Sequence, residues 1–136
     1  MTQKNPSRRA TPRTTDRASE FAHVFFALKR IFAPHLKYLH LNTDTRDRYY
    51  LETRSASYQG KPLFFGAVVS GKSYVSFHFM PLYWDPSLAK KISPKLRKHM
   101  HGKSCFHFTT SDPALFRELT RLSAKGLALY RRKNLL

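Results

Sequence analysis

Cysteine, acidic residues and long apolar runs are all scarce in this chain of 136 residues. A lone cysteine, Cys105, excludes an intrachain disulfide and a multi-cysteine zinc module. The longest nearly uncharged apolar runs, around residues 21–28 and 63–69, fall far short of the ~20 residues that a membrane span needs. Acidic residues number 8 against 25 lysines and arginines, which leaves a formal charge of +17. The sequence therefore predicts no membrane span, and its charge favours an anionic partner.

The chain has the length of one domain and enough apolar residues, 41%, to bury a core. Residues 1–17 differ from the rest, because they hold five basic residues, one acid, two prolines and almost no aliphatic side chains. Such a segment cannot bury enough apolar surface to offset the entropy lost on ordering. We therefore predict a disordered basic arm at residues 1–17 and a single folded domain at residues 18–136.

Several roles are open for this arm. A signal peptide is excluded, because the apolar stretch that follows is interrupted by His23 and runs into charges. A solvated tail, a transit peptide and an arm that contacts phosphates are all compatible with its composition. The phosphate-contacting alternative would use Arg8, Arg9 and Arg13. We expect the protein to be cytoplasmic.

Apolar spacing predicts a first helix that starts near Ala18 and stops near Phe32, just before Pro34. Alternating patterns then predict strands at residues 37–42, 49–54, 63–69 and 74–80, the last two joined by a tight turn at Gly71-Lys72. The first half of the domain is thus one helix followed by four strands.

In the second half, apolar residues recur at intervals of four and predict a buried helical stripe. Ser93-Pro94 interrupts this stripe, and such a pair favours the start of a helix. We read a short helical turn, then a helix at residues 94–101, then a strand at residues 105–109. Asp112-Pro113 opens a long final helix in the same way. The fold class predicted is α+β: an antiparallel sheet of about five strands with helices on one face, in the order helix, four strands, helix pair, strand, helix.

Five segments of the chain carry a recognisable pattern: YLET at residues 50–53, GKPLFFGAV at 60–68, YVSFHFMPLY at 74–83, ISPKL at 92–96 and GKSCFHF at 102–108. Together they resemble the small YdhG-like domain of unknown function. The resemblance spans residues 49–126 and implies a compact α+β domain of bacterial cytosolic type without established catalytic residues. Some relatives are described as frataxin-like iron chaperones, a role that needs exposed carboxylates. The eight acids here are scattered, so the resemblance bears on the fold far more than on the function.

Basic residues without acidic neighbours carry the main functional signal. Six lysines or arginines and no acid lie between Ser87 and Lys103, and the last helix repeats basic residues at four-residue steps. Natural surfaces usually intersperse the two signs of charge, so one-sided helices favour a polyanion such as nucleic acid, with a merely solubilising surface as the alternative. The candidate contacts on the helices are Lys91, Lys95, Lys98, Arg117, Arg121 and Lys125. Aromatic rings that could stack on unpaired bases, if exposed, are Tyr49, Tyr58, Tyr74, Tyr83 and Trp84.

Two smaller candidate sites remain. If the strands at residues 74–80 and 105–109 are neighbours, then His78, Cys105 and His107 share one sheet face with Ser76 and offer soft ligands for zinc or copper. Close ligand spacing is absent, so polar residues on a sheet face are the simpler interpretation. Tyr83 and Trp84 could line a pocket or cover the end of the sheet.

No nucleophile elbow, phosphate-binding loop or dinucleotide fingerprint is present in the sequence. The sequence therefore predicts a non-enzymatic binding protein without a cofactor, which binds nucleic acid or another polyanion with little sequence preference. The alternative is a small-ligand or metal-handling domain, similar to the iron chaperones, whose charge serves solubility alone.

Overall fold

A computed structural model describes residues 13–56 and 58–136, except for the side chains of residues 13–16. Two helices of 20 residues each, α1 (Arg13–Phe32) and α5 (Pro113–Arg132), flank the sheet elements in sequence. The strands are β1 (Leu39–Asp44), β2 (Arg48–Thr53), β3 (Phe64–Ser70), β4 (Val75–Phe79), β5 (Met100–His101) and β6 (Cys105–Phe108). Three short helices, α2 (Pro81–Trp84), α3 (Pro86–Lys90) and α4 (Pro94–Arg97), connect β4 to β5.

The strands form one antiparallel sheet in the order β1-β2-β3-β4-β6-β5. The α+β class and the helical layer on one sheet face are confirmed. The sheet has six strands where the sequence predicts about five, because the two residues Met100–His101 also pair with β6. The predicted helix at residues 94–101 ends at Arg97, and the predicted helix pair is a set of three short helices.

The first helix starts earlier than its apolar spacing predicts, at Arg13 rather than Ala18. The last five residues of the predicted arm therefore belong to α1, and residues 1–12 lie outside the described residues. The apolar stripe of α1 is buried as predicted. The helix ends at Phe32 and is followed by a short 3₁₀ turn that contains Pro34. The stripe consists of Phe21, Val24, Phe25, Leu28 and Phe32.

Serine and aspartate caps begin the later helices where the sequence predicts them. The Ser93 hydroxyl accepts a hydrogen bond from the Leu96 amide at 3.1 Å, and the Asp112 carboxylate accepts one from the Leu115 amide at 3.2 Å. In both helices a proline follows the cap, where its missing N–H costs nothing. These caps fix the start of the two helices that carry Lys95, Arg117, Arg121 and Lys125.

The core lies between the sheet and the long helices. The Phe32 ring of α1 stacks on Phe77 with centroids 4.8 Å apart, and the Phe65 ring meets Tyr130 of α5 edge-on at 5.2 Å. The buried Tyr130 hydroxyl donates a 2.6 Å hydrogen bond to the Phe64 carbonyl, which ties α5 to β3. One face of the sheet is thus filled with aromatic side chains.

A buried histidine should make the fold sensitive to acid. His35 lies 3.1 Å from the buried Ser123 hydroxyl, and burial lowers the pKa of its imidazole. The unfolded chain therefore takes up a proton before the folded one as the pH falls below about 6.5, the usual histidine value. We expect the free energy of unfolding to decrease between pH 7.5 and pH 5.5 in urea titrations.

Replacing this histidine tests the assignment. His35→Gln should show a smaller loss of unfolding free energy between the two pH values than the wild type, because glutamine does not titrate. His23→Gln, at an exposed position of α1, is the matched control and should keep the wild-type loss. An unchanged loss in His35→Gln would assign the acid sensitivity to other groups.

Candidate functional site

Helix α5 presents a row of three exposed cations. Arg117, Arg121 and Lys125 follow one another at intervals of four residues, while Leu119, Leu122 and Ser123 between them are buried. Intervals of four residues place successive side chains on one side of a helix in steps of about 6 Å. The row therefore extends over about 12 Å along the helix.

A second basic segment meets this row at a cleft. Lys91, which follows α3, lines a cleft of about 260 Å³ together with Arg121 and Lys125 of α5. Apolar side chains of Leu88, Ile92 and Leu122 complete the cleft. We call Lys91, Arg121 and Lys125 the basic cleft. Residues about 30 positions apart in sequence thus form one positively charged concavity.

One acid, Glu118, also lines the basic cleft, and its carboxylate is already engaged. Its oxygens accept hydrogen bonds from the Ser93 amide at 2.8 Å and from the Ser93 hydroxyl at 2.7 Å. These contacts fasten the start of α4 to α5 across the cleft. The sequence gives no sign of this pairing, because the two residues lie 25 positions apart without a shared motif.

Arg117, at the N-terminal end of the row, lines a broader cleft between α5 and α1. This second cleft has a volume of about 570 Å³, and Arg30 and His23 of α1 also line it. Arg30 was not among the residues singled out from the sequence. The row on α5 therefore borders two concave surfaces, each with more than one basic side chain.

The remaining basic candidates are separate from the basic cleft or undescribed. Lys95 in α4 and Lys98 at its C-cap are exposed, whereas the Arg97 guanidinium between them donates to the Ala89 carbonyl at 2.8 Å. Arg97 thus stabilises the end of α3. Of the arm candidates, Arg8, Arg9 and the side chain of Arg13 lie outside the described residues.

The two sheet faces divide as the alternation predicts. Strands β4 and β6 are neighbours, with Ser76 opposite His107 and His78 opposite Cys105. The apolar partners on the core side are completely or almost completely buried: Val75, Phe77, Phe79, Phe106 and Phe108. We call the other side, which carries Ser76, His78, Cys105 and His107, the polar face. This prediction depends on β4 and β6 being neighbours, and that pairing is confirmed.

On the polar face, His78 and His107 contact other residues and do not meet at a common point with Cys105. The His78 ring nitrogen Nε2 lies 2.9 Å from the Ser76 hydroxyl. His107 is stacked between Tyr74 and His101, with ring centroids 3.7 Å and 3.8 Å away. Within residues 17–56 and 58–136, no group of three or more histidine, cysteine or acidic side chains has a geometry suited to a metal ion.

Burial keeps the titratable groups of this face neutral. It lowers the pKa of His78, and the nearby His107 and Arg48 lower it further. Burial and the neighbouring His101 lower the pKa of His107, and burial raises the pKa of the Cys105 thiol. At neutral pH the face therefore presents uncharged imidazoles and a protonated thiol, which is a poor nucleophile.

The Tyr83 and Trp84 rings meet edge-on with centroids 6.2 Å apart, but the two residues differ in their surroundings. Tyr83 is exposed and lines an apolar cleft of about 340 Å³ with Met100 and Lys103 among its other walls. Trp84 is half-buried, with its ring edge-on to Tyr58 at 5.3 Å. Of the other rings considered for base stacking, Tyr58 and Tyr74 are exposed and Tyr49 is buried.

Comparison with known proteins adds no identification. No family model, curated protein or solved structure matches the chain. The resemblance to the YdhG-like domain therefore stays a prediction from the five segments. Where residues are described, none of the helices has the length and apolar character required to cross a bilayer.

Proposed function

We propose that this chain is a non-enzymatic protein that binds nucleic acid through the basic cleft and the adjoining Arg117. The observation that carries the proposal is the convergence of Lys91 with Arg121 and Lys125 in one concave surface. Like charges brought together in this way repel one another unless a polyanion relieves the repulsion. A net charge of +17 supports the same partner, because it attracts polyanions over the whole surface.

The dimensions of the α5 row suit a phosphate backbone. Its length of about 12 Å corresponds to three or four phosphates of one strand, since each strand carries a charge about every 3.4 Å of duplex axis. Glu118 opposes binding less than a free acid would, because Ser93 already donates two hydrogen bonds to its carboxylate. Four cations, Lys91, Arg117, Arg121 and Lys125, are thus available for phosphates.

Recognition of this kind has little sequence preference. Lysine and arginine contacts with phosphates position a nucleic acid but do not read its bases. Residues 1–12 supply further basic groups, and in this proposal the arm adds phosphate contacts next to the folded domain. The proposal places the protein in the cytoplasm, where nucleic acid is accessible, as the YdhG-like resemblance also implies.

The salt dependence of binding tests the proposal. We expect fluorescence anisotropy with a labelled oligonucleotide to show micromolar or tighter binding at low salt. With a duplex probe, displacement of counterions from four phosphates gives a slope of about −3.6 for log affinity against log salt, so affinity should fall roughly 100-fold from 50 to 200 mM salt. Additional contacts from the arm would steepen the slope.

Two results would contradict the proposal. One is a lack of binding at low salt, and the other is binding that is insensitive to salt. Heparin, a polyanion without bases, serves as the comparison ligand, because a surface that recognises phosphate spacing should prefer the oligonucleotide at equal charge.

A further inference from the structure

A second cleft with aromatic and basic walls lies on the polar face, at the hairpin that joins β3 to β4. Its volume is about 290 Å³, and Val69 and Ser76 contribute from the two strands. The hairpin itself contributes Lys72 and Tyr74, both of which are exposed. We call this the hairpin cleft. It belongs to the opposite side of the sheet from the helical layer that holds the basic cleft.

The Tyr74 ring is held in place by a stack of three rings. Its plane is within 13° of the His107 ring, and His107 in turn is within 18° of His101. Strands β6 and β5 position the two histidines, so the orientation of Tyr74 depends on the sheet and not on the hairpin alone. A ring fixed in this way loses little conformational entropy when a second planar group stacks on it.

The charges around the hairpin cleft are mostly positive. Lys72 is one of its walls, and Arg48 of β2 lies directly opposite Val69 in the sheet register. The nearby Asp47 carboxylate accepts a hydrogen bond from the Thr45 hydroxyl in the β1–β2 turn. A ligand that combines a planar ring with an anionic group matches both properties of the cleft.

We propose that the hairpin cleft binds an unpaired base of single-stranded nucleic acid, with the base stacked on Tyr74 and its phosphate beside Lys72 and Arg48. This inference rests on the proposed function and specifies which form of nucleic acid the protein prefers. Base–aromatic stacking tolerates any sequence, because every base has a π-face. A paired base is already stacked inside its duplex and cannot enter a cleft of this size.

The test compares strand forms and ring variants. Anisotropy is measured with a single strand of about a dozen nucleotides and with the duplex of the same length. We expect Tyr74→Ala to weaken single-strand binding by at least about 5-fold and to leave duplex binding unchanged. Tyr74→Phe retains the ring and should retain the affinity. Tyr38→Ala, which removes an exposed ring outside every candidate site, is the matched control and should keep the wild-type affinity.

The outcomes separate this inference from the proposed function. Equal losses for both strand forms, or no loss in Tyr74→Ala, would overturn the inference even where the basic cleft still binds. If the wild type binds neither form, an NMR titration with adenosine monophosphate tests whether the hairpin cleft binds a nucleotide. Shifts of the Tyr74 and His107 ring signals that ribose 5-phosphate does not cause would support the hairpin cleft as a nucleotide site, and an absence of shifts would overturn it.

Discussion

Removal of the three cations of the basic cleft should abolish most of the affinity for nucleic acid. In the variant Lys91→Ala, Arg121→Ala, Lys125→Ala, we expect binding at 0.1 M salt to weaken by at least about 100-fold. With a duplex probe, the magnitude of the salt slope should decrease by about 2.7, because each phosphate contact contributes about 0.9 to it. Anisotropy titrations at several salt concentrations measure both quantities. All three side chains are exposed, so the fold should be preserved.

A control variant distinguishes the loss of cations from the basic cleft from the loss of net charge alone. The variant Lys37→Ala, Arg46→Ala, Lys61→Ala removes the same charge from exposed positions outside the basic cleft. It should weaken binding several-fold at most, through the loss of general attraction. Equal losses in the two variants would show that the whole surface acts as a diffuse cation, which is the solubilising alternative. Duplex and single strand should respond alike to the cleft variant, in contrast to the expectation for Tyr74.

Gly126→Ala should destabilise the fold, although alanine is the better helix former. In the middle of a helix this change alone would stabilise by about 1 kcal/mol. Here a Cβ on Gly126 would overlap the Phe79 ring and lie 2.7 Å from the Pro81 Cγ. Both neighbours are buried, so neither can move without displacing the core. We expect the free energy of unfolding to fall by about 1–3 kcal/mol, as overpacked cores show, measured by urea denaturation.

An exposed position of the same helix provides the reference. Ala124→Gly reports the propensity term in α5 without any change in core packing, and it should cost about 1 kcal/mol. A stabilising Gly126→Ala would mean that α5 can shift away from α2. That result would also call the fixed geometry of Arg121 and Lys125 into question, since both residues lie within five positions before Gly126 on the same helix.

Local signals in the sequence predicted most of the elements. The α1 stripe, the β3–β4 hairpin, and the Ser93 and Asp112 caps depend on spacing within a few residues, and the structure confirms them. Strand β5 was not predicted, because two residues are too few to show the alternation of apolar and polar side chains that indicates a strand. It exists because Gly102, with φ of +77°, turns the chain back onto β6.

For the candidate binding surfaces too, the sequence predicted some features and missed others. The sequence identified Lys91, Arg121 and Lys125 as exposed cations, because each lies between buried positions of a regular pattern. It could not predict that they share a cleft, that Arg30 joins Arg117, or that Ser93 occupies the carboxylate of Glu118. Each of these pairings depends on how two elements pack, and no periodicity within a single element reports that.

The sequence by itself determined the charge, the α+β class and the division of residues between core and surface, because these follow from composition and from hydrophobic periods of 2 and 3.6 residues. Only the tertiary structure decided which charged and aromatic groups act together. The stack of Tyr74, His107 and His101 needs three strands in register, and the basic cleft needs α5 beside α3 and α4. Binding surfaces arise from residues distant along the chain, and packing between elements is what brings them together.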